Sequence, residues 1–179
     1  MDRLVETARE FAVEKHGNQK RKYDGAAYIV HLESVAGILV EHGYKESVLL
    51  AAALLHDTVE DTDATIQELL ERFGEEIAQL VYWLTDAEEG NRRTRVLQSA
   101  WRLSRAPWNA KLIKLADIID NGTTIMQHDP KFGAVFLAEK RQILKMMVDV
   151  EGKRLLTLPL FLKAAATTQP DTLLTGGSL

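Results

Sequence analysis

The segment His56-Asp57-Thr58-Val59-Glu60-Asp61 gathers one imidazole and three carboxylates directly after the apolar run 48–55. If a helix continues through it, His56 and Glu60 are four residues apart, Asp57 and Glu60 three, and Asp57 and Asp61 four. These spacings stack the groups over adjacent turns of one face. Titratable groups crowded beside a core helix are costly to desolvate unless something pairs with them. A divalent cation does so, because imidazole and carboxylate are its natural ligands. A solvated acidic helix end with one packed histidine is the plain alternative for this stretch taken alone.

Two further elements bear on that choice. Tyr28-Ile29-Val30-His31 places a second histidine just before a helix that must pack close to the apolar one. Lys114-Leu115-Ala116-Asp117 puts a carboxylate inside an otherwise apolar helical pattern, where it wants a partner. Each alone reads as easily as a capping histidine or a surface carboxylate. Together, His31, His56, Asp57 and Asp117 make a thiol-free set able to hold one ion, leaving positions for water and a phosphate oxygen. Glu60 and Asp61, one turn beyond, are placed to orient that water or to act as general acid and base. Lys20-Arg21-Lys22 supplies cations for an anionic substrate, or is simply a solvated basic turn. Asn91-Arg92-Arg93-Thr94-Arg95 is a second basic cluster, which reads either as part of a pocket mouth or, in preference, as a solvated helix.

The elements that must carry these groups are helical. Leu4, Ala8, Phe11 and Ala12 form one stripe ending near His16-Gly17, and Val35, Ile38 and Leu39 mark a helix stopped at Gly43. Residues 48–55 are nearly all apolar, as in a helix buried on every side. Thr65 and Glu68 form a capping box, Pro107 suits a helix first turn, and 136–150 reads as a last amphipathic helix. No strand alternation or internal repeat is evident. The fold class expected is all-α, with a hydrolase domain over 1–156 and a partly mobile C-terminal tail over 157–179.

Composition bounds the function. With 46% apolar and 27% charged residues in 179, the chain is ordinary globular material for one domain. It has no cysteine, which excludes disulfides, zinc–thiolate sites and thiol nucleophiles. A net charge of -4 gives no general nucleic-acid footprint, so no nucleic-acid partner is expected. No apolar run reaches membrane-span length and the first residues lack a signal peptide's apolar region, so no membrane association and a cytoplasmic location are expected. No oligomeric state is implied.

The order of motifs resembles the HD-domain metal-dependent phosphohydrolases, and more narrowly the (p)ppGpp hydrolase domain of the RelA/SpoT homologue family. The matching stretches are His16-Gly17-Asn18-Gln19-Lys20-Arg21-Lys22, Tyr28-Ile29-Val30-His31, Ala53-Leu54-Leu55-His56-Asp57-Thr58-Val59-Glu60-Asp61-Thr62, Phe73-Gly74-Glu75-Glu76-Ile77-Ala78-Gln79-Leu80-Val81 and Lys114-Leu115-Ala116-Asp117-Ile118-Ile119-Asp120-Asn121. The similarity spans residues 3 to 150, the extent of a small alarmone hydrolase. It implies an HD-domain helical bundle with a metal site in a central cleft. It implies His31, His56, Asp57 and Asp117 as ligands of Mn²⁺ or another divalent metal, and Glu60 and Asp61 as the pair activating water. Arg21 and Lys22 match the family's basic pair near the nucleotide, and Asn121 its ribose contact. The implied reaction is hydrolysis of the 3′-diphosphate of ppGpp or pppGpp to GDP or GTP and pyrophosphate. The alternatives are an HD phosphohydrolase acting on a nucleoside monophosphate, a dNTP or NADPH, and a catalytically silent nucleotide-binding module. Leu32 stands where the family often has Pro, Asp120 where it often has His, and Gly122-Thr123 where it often carries Arg. A glycine there is expected to loosen or end the helix.

Overall fold

The computed structural model describes residues 2–169. Eleven helices make up its regular structure: α1 (Arg3–His16), α2 (Ile29–Glu41), α3 (Ser47–Leu55), α4 (Thr58–Asp61), α5 (Ile66–Phe73), α6 (Glu75–Leu84), α7 (Arg92–Arg105), α8 (Trp108–His128), α9 (Pro130–Glu151), α10 (Lys153–Leu156) and α11 (Pro159–Thr168). Among the described residues the only β-type pairing is one isolated bridge, Lys20 with Ala27. The all-α expectation holds.

Two helices form the centre. In α3 all of Ala51 to Leu55 is buried, as an unbroken apolar run requires. In α8 every residue from Ala110 to Ile119 is buried, including Lys111, Lys114 and Asp117. Helix α1 lies along α3, α2 bridges α3 and α8, and α7 runs along α9. The capping expected at Thr65 is present: its hydroxyl accepts from the Glu68 N–H at 3.1 Å.

Several local expectations are corrected. The helix through 48–55 does not continue into the acidic segment. It ends at Leu55, and Asp57, at φ -101° and ψ -2°, precedes the separate short helix α4. His31 lies inside the first turn of α2 rather than before it. The last long helix begins at Pro130, whose fixed φ suits a first turn, with the Asp129 side chain accepting from Phe132 N–H at 3.1 Å.

Gly122 neither loosens nor ends α8, which runs on to His128. A Cβ at Gly122 would lie 2.7 Å from Thr167 Cγ2 and 3.1 Å from Leu137 Cδ2, so the glycine admits α11 against α8. Much of the segment expected as a tail is therefore structured. Helix α11 opens on Pro159 and buries Leu160, Phe161 and Ala164 against α8 and α9. The rest of that expectation, over 170–179, lies outside the described residues.

Candidate active site

The break after α3 aims the first histidine. The last carbonyls of a helix lack intrahelical partners. Here His56 Nδ1 donates to the Ala53 carbonyl at 2.8 Å, and Thr58 Oγ1 donates to that of Leu55 at 2.7 Å. With Nδ1 so committed, Nε2 is the free nitrogen. His56 is 1% exposed, and Nε2 has no hydrogen-bond partner.

His31 repeats the arrangement from α2. Its Nδ1 donates to Asp120 Oδ2 at 2.7 Å, while its Nε2 is buried without a hydrogen-bond partner. Both free Nε2 atoms face the same two carboxylates. Asp57 Oδ2 lies 3.2 Å from His56 Nε2 and 3.4 Å from His31 Nε2. Asp117 Oδ1 lies 3.5 Å from His31 Nε2 and 3.9 Å from His56 Nε2. Donor atoms of His31, His56 and Asp117 all fall within 4.8 Å of one another.

The carboxylates are held in turn. Tyr28 donates its hydroxyl to Asp57 Oδ2 at 2.7 Å. Lys114 Nζ pairs with Asp117 Oδ2 at 2.8 Å, and Asn121 donates to Asp117 Oδ1 at 2.6 Å. Burial opposes charge on both histidines, but Asp57 and Asp117 outweigh it, joined at His31 by Asp120, and hold both well above the usual range, His56 at about 9. Burial likewise works against the Asp57 and Asp117 carboxylates. His56 chiefly overcomes it at Asp57 and Lys114 at Asp117, so both stay well below the ordinary range.

This donor set fits a divalent metal. Two nitrogens and two carboxylates converge with both nitrogens unpartnered, and a cation would take the place of the protons that the carboxylates draw onto the imidazoles. Donors held around one ion at about 2.1 Å stand roughly 3 Å or somewhat more apart, the spacing seen between most of these atoms. The remaining ring nitrogens are fixed by a carboxylate and a backbone carbonyl, as ligating histidines require.

The other candidate residues divide between three places. Arg21, Lys22 and Asn121 come together beside His31 and Tyr28, lining a cavity of about 140 Å³. Arg21 donates to Asp120 Oδ2 at 2.7 Å and to Thr124 Oγ1 at 3.0 Å. Lys22 lies over the Tyr23 and Phe132 rings. Glu60 and Asp61 do not stack over the histidine as an unbroken helix would have them. Asp61 turns towards α1, where His16 Nδ1 bonds Gln19 Oε1 at 2.8 Å and Gln19 Nε2 donates to Asp61 Oδ2 at 3.1 Å. Glu60 accepts from the Asp86 N–H at 3.0 Å and borders a separate cavity of about 290 Å³. Partial burial, with Asp86 nearby, raises the Glu60 carboxyl to about 7.

Several contributors were not read from the sequence. Tyr28 was read only as a neighbour of His31, Lys114 only as a flank of Asp117, and Asp120 only as a departure from the family pattern. The signal lay in α8: Lys114, Asp117 and Asp120 recur every three residues through apolar sequence, which puts all three near one face.

An all-helical bundle whose buried His and Asp side chains converge on one point defines an HD-type domain. The HD-domain family model matches residues 8–155, and the chain belongs to that family. Among relatives, the chain is 40% identical over 141 residues to the guanosine-3′,5′-bis(diphosphate) 3′-pyrophosphohydrolase of Aquifex aeolicus, covering 77% of this chain and 19% of that protein. It is 43% identical over 120 residues to the Danio rerio pyrophosphohydrolase MESH1, covering 66% of each. A solved structure of a metazoan SpoT orthologue reported to hydrolyse ppGpp superposes with a TM-score of 0.80 at 27% identity, covering 93% of this chain and 94% of that one. No helix among the described residues is long and apolar enough to cross a membrane.

Proposed function

We propose that this chain hydrolyses the 3′-diphosphate of ppGpp or pppGpp, releasing GDP or GTP and pyrophosphate, with Mn²⁺ as its metal. One observation carries the reading: two buried imidazole Nε2 atoms, each without a hydrogen-bond partner, face Asp57 and Asp117. The names of the relatives support the choice of substrate. The cytoplasm is the proposed location.

His31, His56, Asp57 and Asp117 would hold the metal. When bound, it would lower the pKa of a water and polarise the phosphoryl group. The remaining work falls to side chains. Glu60, with a carboxyl near 7, is suited to accept the proton of the attacking water and return one to the ribose 3′-oxygen as the P–O3′ bond breaks. One water is consumed, and the departing group is pyrophosphate. Asp61 is held by the hydrogen bond from Gln19 Nε2. Arg21, Lys22 and Asn121 line the cavity beside His31, and the two cations there suit the phosphates of a nucleotide.

The test is product analysis on metal-stripped protein given ppGpp with and without Mn²⁺, beside GTP, dNTPs, AMP and NADPH. Manganese-dependent release of GDP and pyrophosphate from ppGpp is expected. Turnover of another panel member in its place moves the reading to that nucleotide, and silence across the panel refutes hydrolysis. Asp57→Ala is expected to abolish turnover and lower metal content while leaving helical circular dichroism intact.

A further inference from the structure

Helix α1 ends on His16, and Gly17, at φ 51°, turns the chain out of the helix. Gln19 follows, pinned through its own backbone. Its N–H donates to the His16 carbonyl at 2.9 Å, and its carbonyl accepts from the Tyr28 N–H at 3.0 Å. The Gln19 side chain is therefore carried on a fixed bridge between the end of α1 and the start of α2. The His16 imidazole is 5% exposed and stacks on the Tyr28 ring, with centroids 4.6 Å apart and planes 19° from parallel. From it a short chain of hydrogen bonds leads outward: His16 Nδ1 to Gln19 Oε1 at 2.8 Å, then Gln19 Nε2 to Asp61 Oδ2 at 3.1 Å.

The far end fixes the direction of this chain. A carboxylate only accepts, so the Gln19 amide presents its NH₂ group to Asp61 and its carbonyl to His16. A carbonyl also only accepts, so His16 donates through Nδ1. Its Nε2 agrees, being buried with no hydrogen-bond partner, where a proton would be a stranded donor. Turning the amide over would set two acceptors against each other at Asp61. Asp61 itself is exposed on a helix of one turn, and Gln19 is the side chain that bonds it. Close by is the Tyr28 hydroxyl, which donates to Asp57 Oδ2 at 2.7 Å. Burial, then the charges of Asp57 and Asp61, raise the pKa of that phenol and keep it protonated between the two carboxylates.

We infer that His16 and Gln19 are positioning residues of the hydrolytic site, holding Asp61 beside Tyr28 and Asp57 through a one-way relay of hydrogen bonds. The inference rests on the proposed reading for the work of Asp61, the family's partner of Glu60 in activating water. Neither residue is assigned a contact with nucleotide or metal. Both act through the Asp61 carboxylate.

Nitrogen NMR and turnover together decide it. In wild type the His16 ring should carry its proton on Nδ1. Gln19→Leu and Asp61→Ala should each leave a mixture of tautomers, because the first removes the acceptor and the second frees the amide to turn over. In turnover, Gln19→Leu should lower kcat about tenfold or more, the scale of one lost hydrogen bond to a charged group, with KM close to wild type. In an Asp61→Ala background the same change should alter kcat by less than about twofold, since its target is gone. At His16, Asn and Leu both forfeit the stack on Tyr28, but Asn keeps an N–H donor near the place of Nδ1. His16→Asn should therefore turn over faster than His16→Leu. The Mn²⁺ affinity of Gln19→Leu, read by chelator competition, should match wild type. A His16 tautomer indifferent to Asp61→Ala, or a Gln19→Leu loss that persists in full without Asp61, overturns the relay even where ppGpp is hydrolysed. A tautomer that responds to both substitutions without ppGpp turnover upholds the relay and removes the substrate reading instead.

Discussion

Asp120 offers the sharpest test of how this centre is held. A single oxygen, Oδ2, accepts from His31 Nδ1 at 2.7 Å and from Arg21 Nη2 at 2.7 Å, and the side chain is only 10% exposed. The carboxylate therefore fixes which nitrogen of His31 faces the cluster while neutralising a guanidinium that is 9% exposed. Asp120→Ala removes both functions. Carboxylate partners of ligating histidines are generally worth about 10- to 100-fold in metal affinity, or roughly 1.4–2.7 kcal/mol. Arg21 would keep Thr124 at 3.0 Å and Asp24 at 3.6 Å, so the added cost to folding stays near ~1–3 kcal/mol, with the guanidinium not fully orphaned.

Asp120→Asn divides the two functions. Its amide carbonyl can still accept the His31 Nδ1–H, so metal affinity should fall less than about tenfold, while the ion pair with Arg21 is lost. The assay is competition of metal-stripped protein against a chromophoric chelator for Mn²⁺, with nitrogen NMR of the imidazoles to read the His31 tautomer. The expected order of affinity is wild type, then Asn, then Ala, with the His31 tautomer preserved in Asn and mixed in Ala. Wild-type affinity in a folded Asp120→Ala protein would falsify the claim that this carboxylate orients His31 for an ion.

Three other outcomes follow from the same structure. Gly122→Ala gains helix propensity of about 1 kcal/mol but drives a Cβ to 2.7 Å from Thr167, an overpacking cost of roughly 1–3 kcal/mol. Urea denaturation should show a net loss that Thr167→Ala relieves, and additive single effects would remove the α8–α11 close-contact explanation. Glu60, raised to about 7, is protonated below that pH and accepts protons above it, so kcat/KM should rise through about pH 7, and Glu60→Gln should lose that limb. Because the raised carboxyl binds its proton more tightly when folded, its contribution to stability should decline between about pH 4.5 and 7. Lys111, 2% exposed, pairs with the more accessible Glu151. Glu151→Ala strands a buried ammonium and should cost about 3–5 kcal/mol, whereas Lys111→Met should cost less. Equal losses in urea melts would contradict the asymmetry.

Much of this was legible in the sequence because it rests on short-range rules. Periodicity located α1, the buried α3 and the capping box of α5, and residue chemistry singled out His31, His56, Asp57 and Asp117. What escaped depends on contacts distant in sequence or on backbone breaks. The end of α3 at Leu55 sends Glu60 and Asp61 to opposite sides, and that end is fixed by side-chain bonds to the carbonyls of Ala53 and Leu55, which no spacing displays. Gly122 looked like a helix breaker because its close neighbours, Leu137 and Thr167, lie on two other helices. Asp120 looked like a departure from a pattern because its partners, His31 and Arg21, come from elements 89 and 99 residues away.

The charge balance around the cluster ties these observations together. Asp57, Asp117 and Asp120 face Arg21 and Lys114 in the same buried region, and with neutral imidazoles the three carboxylates leave one negative charge uncompensated. Protonating a histidine would cancel it, which is why the carboxylates pull both imidazole pKa values upward. Protonating both imidazoles, or binding a divalent cation to the neutral pair, turns the balance to one net positive charge. In either state the region attracts a polyphosphate instead of repelling it. Metal and protons therefore compete for the same two buried nitrogens. The Mn²⁺ affinity of metal-stripped protein should rise with pH, and an affinity independent of pH would contradict this competition.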